Sequence, residues 1–185
     1  YKYIMHFVNR KTAFPPLGLL TFAAYLSDTW DFELVDLNVK QYGRDELLSM
    51  VRDSDAVFVS AMSIQKPSLV ELLEMLGGEA AAPWVMGGPL ASTYRDQILT
   101  PEAYSDKVLH DGLDIIVWGE AGEWIDTINL QLQKQPEHSG DTPKLCIPDR
   151  VTELEPGSRK YLLDKTIFKP LDSVPLPRWD LINMN

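Results

Sequence analysis

The chain has 185 residues, 45% of them hydrophobic and 24% charged, enough for one well-cored domain with a tail. A formal net charge of −10 repels phosphate backbones and disfavours nucleic-acid binding. The one cysteine excludes an internal disulfide and fits a cytoplasmic setting, no signal peptide is evident, and no apolar run approaches the roughly 20 residues that span a bilayer.

The apolar run "YIMHFV" (3–8) predicts a first strand. After the turn "FPPLG" (14–18), "LGLLTFAAYL" (17–26) sets Leu19, Phe22, Ala23 and Leu26 on one helical face. Pro16 falls near the first helical turn, where a missing N–H costs nothing. "DFELVDL" (31–37) predicts a second strand, and "RDELLSMVRD" (44–53) a short helix with apolar Leu47, Leu48 and Val51. "DAVFVSAM" (55–62) is almost continuously apolar, which predicts a central strand buried on both faces. "PSLVELLEMLGG" (67–78) opens on proline and closes on Gly77-Gly78, the start and stop signals of a helix. "APWVMGG" (82–88) is the fourth strand, and "LDIIVWGE" (113–120) the fifth, followed by the helix "EAGEWIDTINLQL" (120–132). Between Gly88 and Leu109 the pattern is irregular, with a short helix near Tyr94 to Leu99. Strands alternating with helices imply a parallel sheet covered on both faces. Residues 133–142 are polar and loop-like, "KLCIP" (144–148) reads as an added strand, and the proline-rich stretch 168–185 reads as a poorly packed connector. Trp179 and Leu181 are expected to stay out of the domain core.

Open parallel sheets bind ligands at the carboxyl ends of their strands. Residues 9–18 follow the first strand; Ser60, Ala61, Met62, Ser63, Ile64 and Gln65 follow the third. Gly87, Gly88 and Pro89 follow the fourth, and Gly119 and Glu120 the fifth. These tips are small and neutral. Glycines let a ligand approach the backbone, Ser60 offers one hydrogen bond, and Met62 and Ile64 give soft apolar contact. Such an edge suits a large, flat, partly apolar ligand, although each glycine alone also reads as a turn residue. A nucleotide-dependent enzyme is disfavoured, because only Gly18 stands where G-x-G-x-x-G would be, and neither a Walker A loop nor a G-x-S-x-G elbow is present. Asp36 reads as a solvated strand end, Lys66 as a solvated lysine, and Glu120 and Glu123 as carboxylates favoured by a helix dipole. His6, His110 and His138 lack metal-ligand spacing, and the lone Cys146 reads as a buried core thiol that cannot hold an iron–sulfur cluster.

In order and spacing, "FPPLGLLTFAAYL", "FELVDLN", "VFVSAM", "VMGGP" and "VWGEAGE" resemble the N-terminal cobalamin (B12)-binding domain of B12-dependent radical S-adenosylmethionine enzymes. That family includes methyltransferases and the magnesium-protoporphyrin monomethyl ester cyclase. The resemblance covers residues 3–132 and extends to the connector "VPLPRWDLI". It implies a flavodoxin-like (Rossmann-like) α/β domain over 1–143, with a five-stranded parallel sheet in the order 2-1-3-4-5. An irregular connector over 144–185 would lead toward a radical barrel that this chain lacks.

B12 mutases and methionine synthase carry D-x-H-x-x-G in the first loop, where the histidine ligates cobalt. Aligning Gly18 with that glycine puts Ala13 at the aspartate and Pro15 at the histidine, and neither can ligate a metal. The resemblance therefore implies cobalamin held without histidine ligation from this loop, with Pro15, Pro16 and Leu17 forming a rigid apolar surface. Ser60 and Met62 match S-x-L positions along the dimethylbenzimidazole tail; Ala61, Gln65 and Pro89 lie in the same tips. Gly87 and Gly88 match the glycine pair beside the tail, and Gly119 and Glu120 a G-E step. The [4Fe–4S] cluster and S-adenosylmethionine are expected only in the C-terminal part, which would be this domain's partner. Without that part, no residue here is assigned to catalysis. The alternative is a flavodoxin-like regulatory or interaction domain that binds no cofactor.

Overall fold

A computed structural model describes residues 15–26, 30–76, 79, 82–119, 151–153, 161–164 and 171–182. Helix α1 (Leu17–Tyr25) is followed by α2 (Arg44–Arg52) and strand β1 (Val57–Ser60). A short 3-10 turn (Ser63–Gln65) leads into α3 (Lys66–Leu76), then β2 (Trp84–Gly87), α4 (Gly88–Leu99), α5 (Tyr104–Gly112) and β3 (Ile115–Trp118). Strands β4 (Val151–Glu153) and β5 (Tyr161–Asp164) come later, and 3-10 turns cover Leu171–Ser173 and Trp179–Leu181. The described strands form one sheet in the order β1-β2-β3-β5-β4. The β1–β2, β2–β3 and β3–β5 ladders are parallel, and β4 runs antiparallel to β5.

The chain is thus an α/β protein with β1, β2 and β3 side by side in a parallel sheet, as the alternation predicts. Burial follows the apolar pattern: Trp84, Val85 and Met86 of β2 and Ile115, Ile116 and Val117 of β3 are all buried. One core joins Trp84, Met86 and Ile116 to Leu47, Leu48 and Val51 of α2, Leu69, Leu73 and Leu76 of α3, and Leu90, Ile98 and Leu109 of α4 and α5. At about 25 cal/mol per Å², each such side chain contributes about 1.5–3 kcal/mol.

Several expectations change. "DAVFVSAM" yields only the four-residue β1, whose side chains are half-buried or exposed rather than buried on both faces, and β1 stands first in the described order. Its expected neighbour, 3–8, lies outside the described residues, and residues 31–36 have no ladder partner there. The stretch from 144 on adds β4 and β5 to the sheet, so "IIVW" of β3 is flanked on both sides. The region read as irregular holds two helices, with α4 broken at Tyr94 (φ −110°, ψ 15°). On α1 the buried residues are Leu20 and Ala23, with Leu26 buried just past its end, rather than a face led by Leu19. The segment is apolar all round, so its period does not select a face. Phe22 packs on Phe58 with ring centroids 4.7 Å apart, and the Arg178 amide donates to the Leu20 carbonyl at 3.1 Å. Trp179 stays 48% exposed and Leu176 85%, outside the core as predicted for the proline-rich stretch. The helix over 120–132, the loop 133–142 and "KLCIP" lie outside the described residues.

Candidate functional site

Parallel strands in register bring the ends of β1, β2 and β3 to one edge: Ser60 lies opposite Gly87, and Met86 opposite Ile116. Gly87 is extended (φ −128°, ψ −169°), and a Cβ there would meet only Val117 Cβ, at an ordinary 3.9 Å. Gly88 has φ +82°, and a Cβ there would lie 2.5 Å from Ser60 Oγ. The two glycines therefore differ. Gly88 is required by its positive φ, whereas Gly87 is extended and a Cβ there would make one ordinary contact. The Leu90 amide donates to the Ala61 carbonyl at 2.9 Å, fixing the start of α4 against the loop after β1. Pro89 is exposed in the first turn of α4, where proline is pre-set for helix. Ser92 Oγ donates to the Gly88 carbonyl at 3.3 Å and accepts from the Gly119 amide at 3.4 Å, joining two strand tips. Gly119 has φ +79°. Beside it the Arg95 guanidinium lies over the Trp118 ring at 4.2 Å.

The loop after β1 is tied to the turn after residue 36. Gln65 Oε1 accepts from the Met62 amide at 2.8 Å, and Gln65 Nε2 donates to Asn38 Oδ1 at 3.0 Å. Asn38 in turn donates from its amide and from Nδ2 to Asp36 Oδ1, both at 2.9 Å. Asp36 is therefore a turn-forming acceptor rather than a solvated strand end. On the same turn, Lys40 Nζ meets Glu46 Oε1 at 2.8 Å. That hydrogen bond holds the Lys40 ammonium above its ordinary pKa and the Glu46 carboxyl below its own.

Eight large apolar side chains are exposed among the described residues, and four of them, Leu37, Val39, Met62 and Ile64, flank the Asn38–Gln65 bond. Exposed apolar side chains concentrated in this way mark a binding surface rather than scatter. Leu17, 50% exposed, opens α1 after the exposed Pro15 and half-buried Pro16. A Cβ on the exposed Gly18 would meet nothing within 4 Å.

Ser60, Ala61, Met62, Gln65, Gly87, Gly88, Pro89 and Gly119 are thus gathered on one edge, with Ala61 buried and both ends of the Gln65 amide engaged by protein. No hydrogen bond among the described residues joins the Pro15–Gly18 turn to these tips. Glu120, Glu123, Ala13, Cys146, His6 and His138 lie outside the described residues. His110 Nδ1 is 2.9 Å from the Ile98 carbonyl, a structural contact in the last turn of α5. Among the described residues no group of three or more His, Cys, Asp or Glu could hold a metal ion, and no helix is long and apolar enough to cross a membrane. Lys66, read as solvated, instead pairs with the buried Asp106 and lies 4.5 Å above the Tyr94 ring. Sequence reasoning passed over Leu37, Asn38, Val39 and Ser92. The available signal was an asparagine between two apolar residues just past a strand, and a serine one turn into the helix that follows Gly-Gly-Pro.

The B12-binding domain model matches residues 6–123, more than half of the chain. An uncharacterized methyltransferase of Synechocystis sp. is 25% identical over 185 residues, all of this chain and 28% of that protein. The hopanoid C-2 methylase of Rhodopseudomonas palustris is 29% identical over 167 residues, 90% of this chain and 25% of that protein. The chain thus spans about a quarter of the length of these relatives. No solved structure matches. An edge of small residues with an apolar rim, on a parallel α/β sheet matched from residue 6 to residue 123, has its explanation in descent: the chain belongs to the B12-binding domain family.

Proposed function

We propose that the chain is the cobalamin-binding module of a longer radical S-adenosylmethionine iron–sulfur enzyme that carries out methyl transfer or related radical chemistry. Family membership supports the cofactor, and the printed names of the two relatives support the methyl transfer. The observation that carries the reading is Gly87. It is the one member of the glycine pair that neither its backbone nor its neighbours require, and it ends β2 opposite Ser60, at the edge that the exposed apolar rim follows.

The residues fit the group. Gly87 and Gly88 would let the nucleotide tail approach the backbone, Ser60, Ala61 and Met62 would line it, and Pro89, Gly119 and Glu120 would close its sides. Pro15, Pro16, Leu17 and Gly18 would present an apolar surface without a cobalt ligand, and Gln65 would hold its loop. Cobalamin, when bound, supplies a cobalt centre that carries a methyl group or an electron. This chain's own residues would bind and orient it and exclude water. On this reading the sheet is flavodoxin-like in the order 2-1-3-4-5, completed by 3–8 and 31–37, within a domain over 1–143. The stretch 144–185 would lend β4 and β5 to the sheet and lead to a barrel partner holding the [4Fe–4S] cluster and S-adenosylmethionine, in the cytoplasm.

The test is to mix the purified chain with hydroxocobalamin, remove the excess by gel filtration and record the absorption spectrum. Retained cofactor with a spectrum unchanged by alanine at His6, His110 and His138 is expected. Gly87→Leu should lose retention while keeping its fold, because its side chain would fill the open edge. Equal retention by Gly87→Leu, or loss of cobalt ligation on removing one histidine, would contradict the reading.

A further inference from the structure

Gln65, Asn38 and Asp36 form one hydrogen-bonded chain whose polarity is set at one end. Asp36 Oδ1 already accepts from the Asn38 backbone amide, so Asn38 must turn Nδ2 toward it and present Oδ1 on its other side. Gln65 must then present Nε2 to Asn38, which leaves Oε1 for the Met62 amide, itself only a donor. Every orientation in the chain agrees with its neighbours. The chain joins two loops that are 27 residues apart in sequence. On either side of the joint stand Leu37 and Val39 from one loop and Met62 and Ile64 from the other, all about half exposed.

We infer that Gln65 and Asn38 are positioning residues that hold these two loops as one apolar rim, rather than contacts to the ligand. The inference rests on the cobalamin reading above and names what sets the shape of that site. The oxygen and the nitrogen of both side-chain amides are engaged by protein, so a ligand that took over any of these bonds would cut the joint. Asn38 is exposed and Gln65 half-buried, so water can replace the lost bonds when the joint is cut and the fold stays intact. The effect falls on the rim instead.

The test uses the whole chain and hydroxocobalamin, with affinity measured by titration and folding by the urea midpoint. Gln65→Leu and Asn38→Ala should each weaken binding about three- to tenfold, with the double variant no worse than either alone, and with urea midpoints close to the parent's. Gln65→Glu should weaken binding similarly, because the new carboxylate faces Asn38 Oδ1. Non-additivity in the double variant distinguishes a joint from separate structural contacts. Parent-like affinity in Gln65→Leu and Asn38→Ala, or additive losses in the double variant, overturns the assignment while leaving the cobalamin reading in place. Failure of the parent itself to bind overturns both.

Discussion

At Gly88 the backbone lies at φ +82°, where an L side chain costs roughly 1–2 kcal/mol. Its one close neighbour, Ser60 Oγ, can rotate away, so the backbone sets the cost. Gly88→Ala should therefore destabilise the chain by about 1–2 kcal/mol in urea titration, and Ser60→Ala should not recover it. Gly87→Ala, extended and making only an ordinary contact with Val117, should stay within about 0.5 kcal/mol of the parent. A reversed order of the two variants would mean that the turn is built differently. In the sequence these glycines look alike. Their difference comes from the register that sets Ser60 opposite Gly87, which no local pattern encodes.

At the scale of elements, α3 and α5 are pinned by Lys66 and Asp106, whose side chains are 16% and 10% exposed, with Tyr94 of α4 under the ammonium. Removing one partner strands a mostly buried charge. Asp106→Leu should cost about 3 kcal/mol, and adding Lys66→Met should recover most of that, since an apolar pair of similar size removes both charges. Urea titration of the two variants decides this; additive losses would show that the pair's charges are solvated after all. The same pair explains why α5 escaped the sequence reading. Its inward positions are Asp106 and Leu109, so an aspartate at a core position broke the apolar period. By contrast, α2 was legible because Leu47, Leu48 and Val51 occupy its buried face without such a substitution. For α1 the difficulty was opposite: apolar residues on every side left the face to be chosen by packing on β1 and by the segment around Arg178.

For the whole molecule, the alternation of strand and helix was enough to give a parallel α/β sheet and the edge where a ligand belongs, because that edge follows from topology. What alternation could not give was the partner of each strand: β5 comes from a stretch read as a connector, yet it pairs with β3. Nor could it give the joint between Asn38 and Gln65, a contact between loops that only the folded chain brings together. The central claim is that cobalamin lies across the ends of β1, β2 and β3, held by Gly87 and the apolar rim. Amide chemical shifts during a hydroxocobalamin titration of the isotopically labelled chain test this most directly. Ser60, Met62, Gly87 and Gly119 should shift with the added cofactor. Trp84 and Asp114, which bond each other at the opposite end of the sheet, should not move. Shifts confined to the Trp84 and Asp114 end, or no shifts at all, would contradict it.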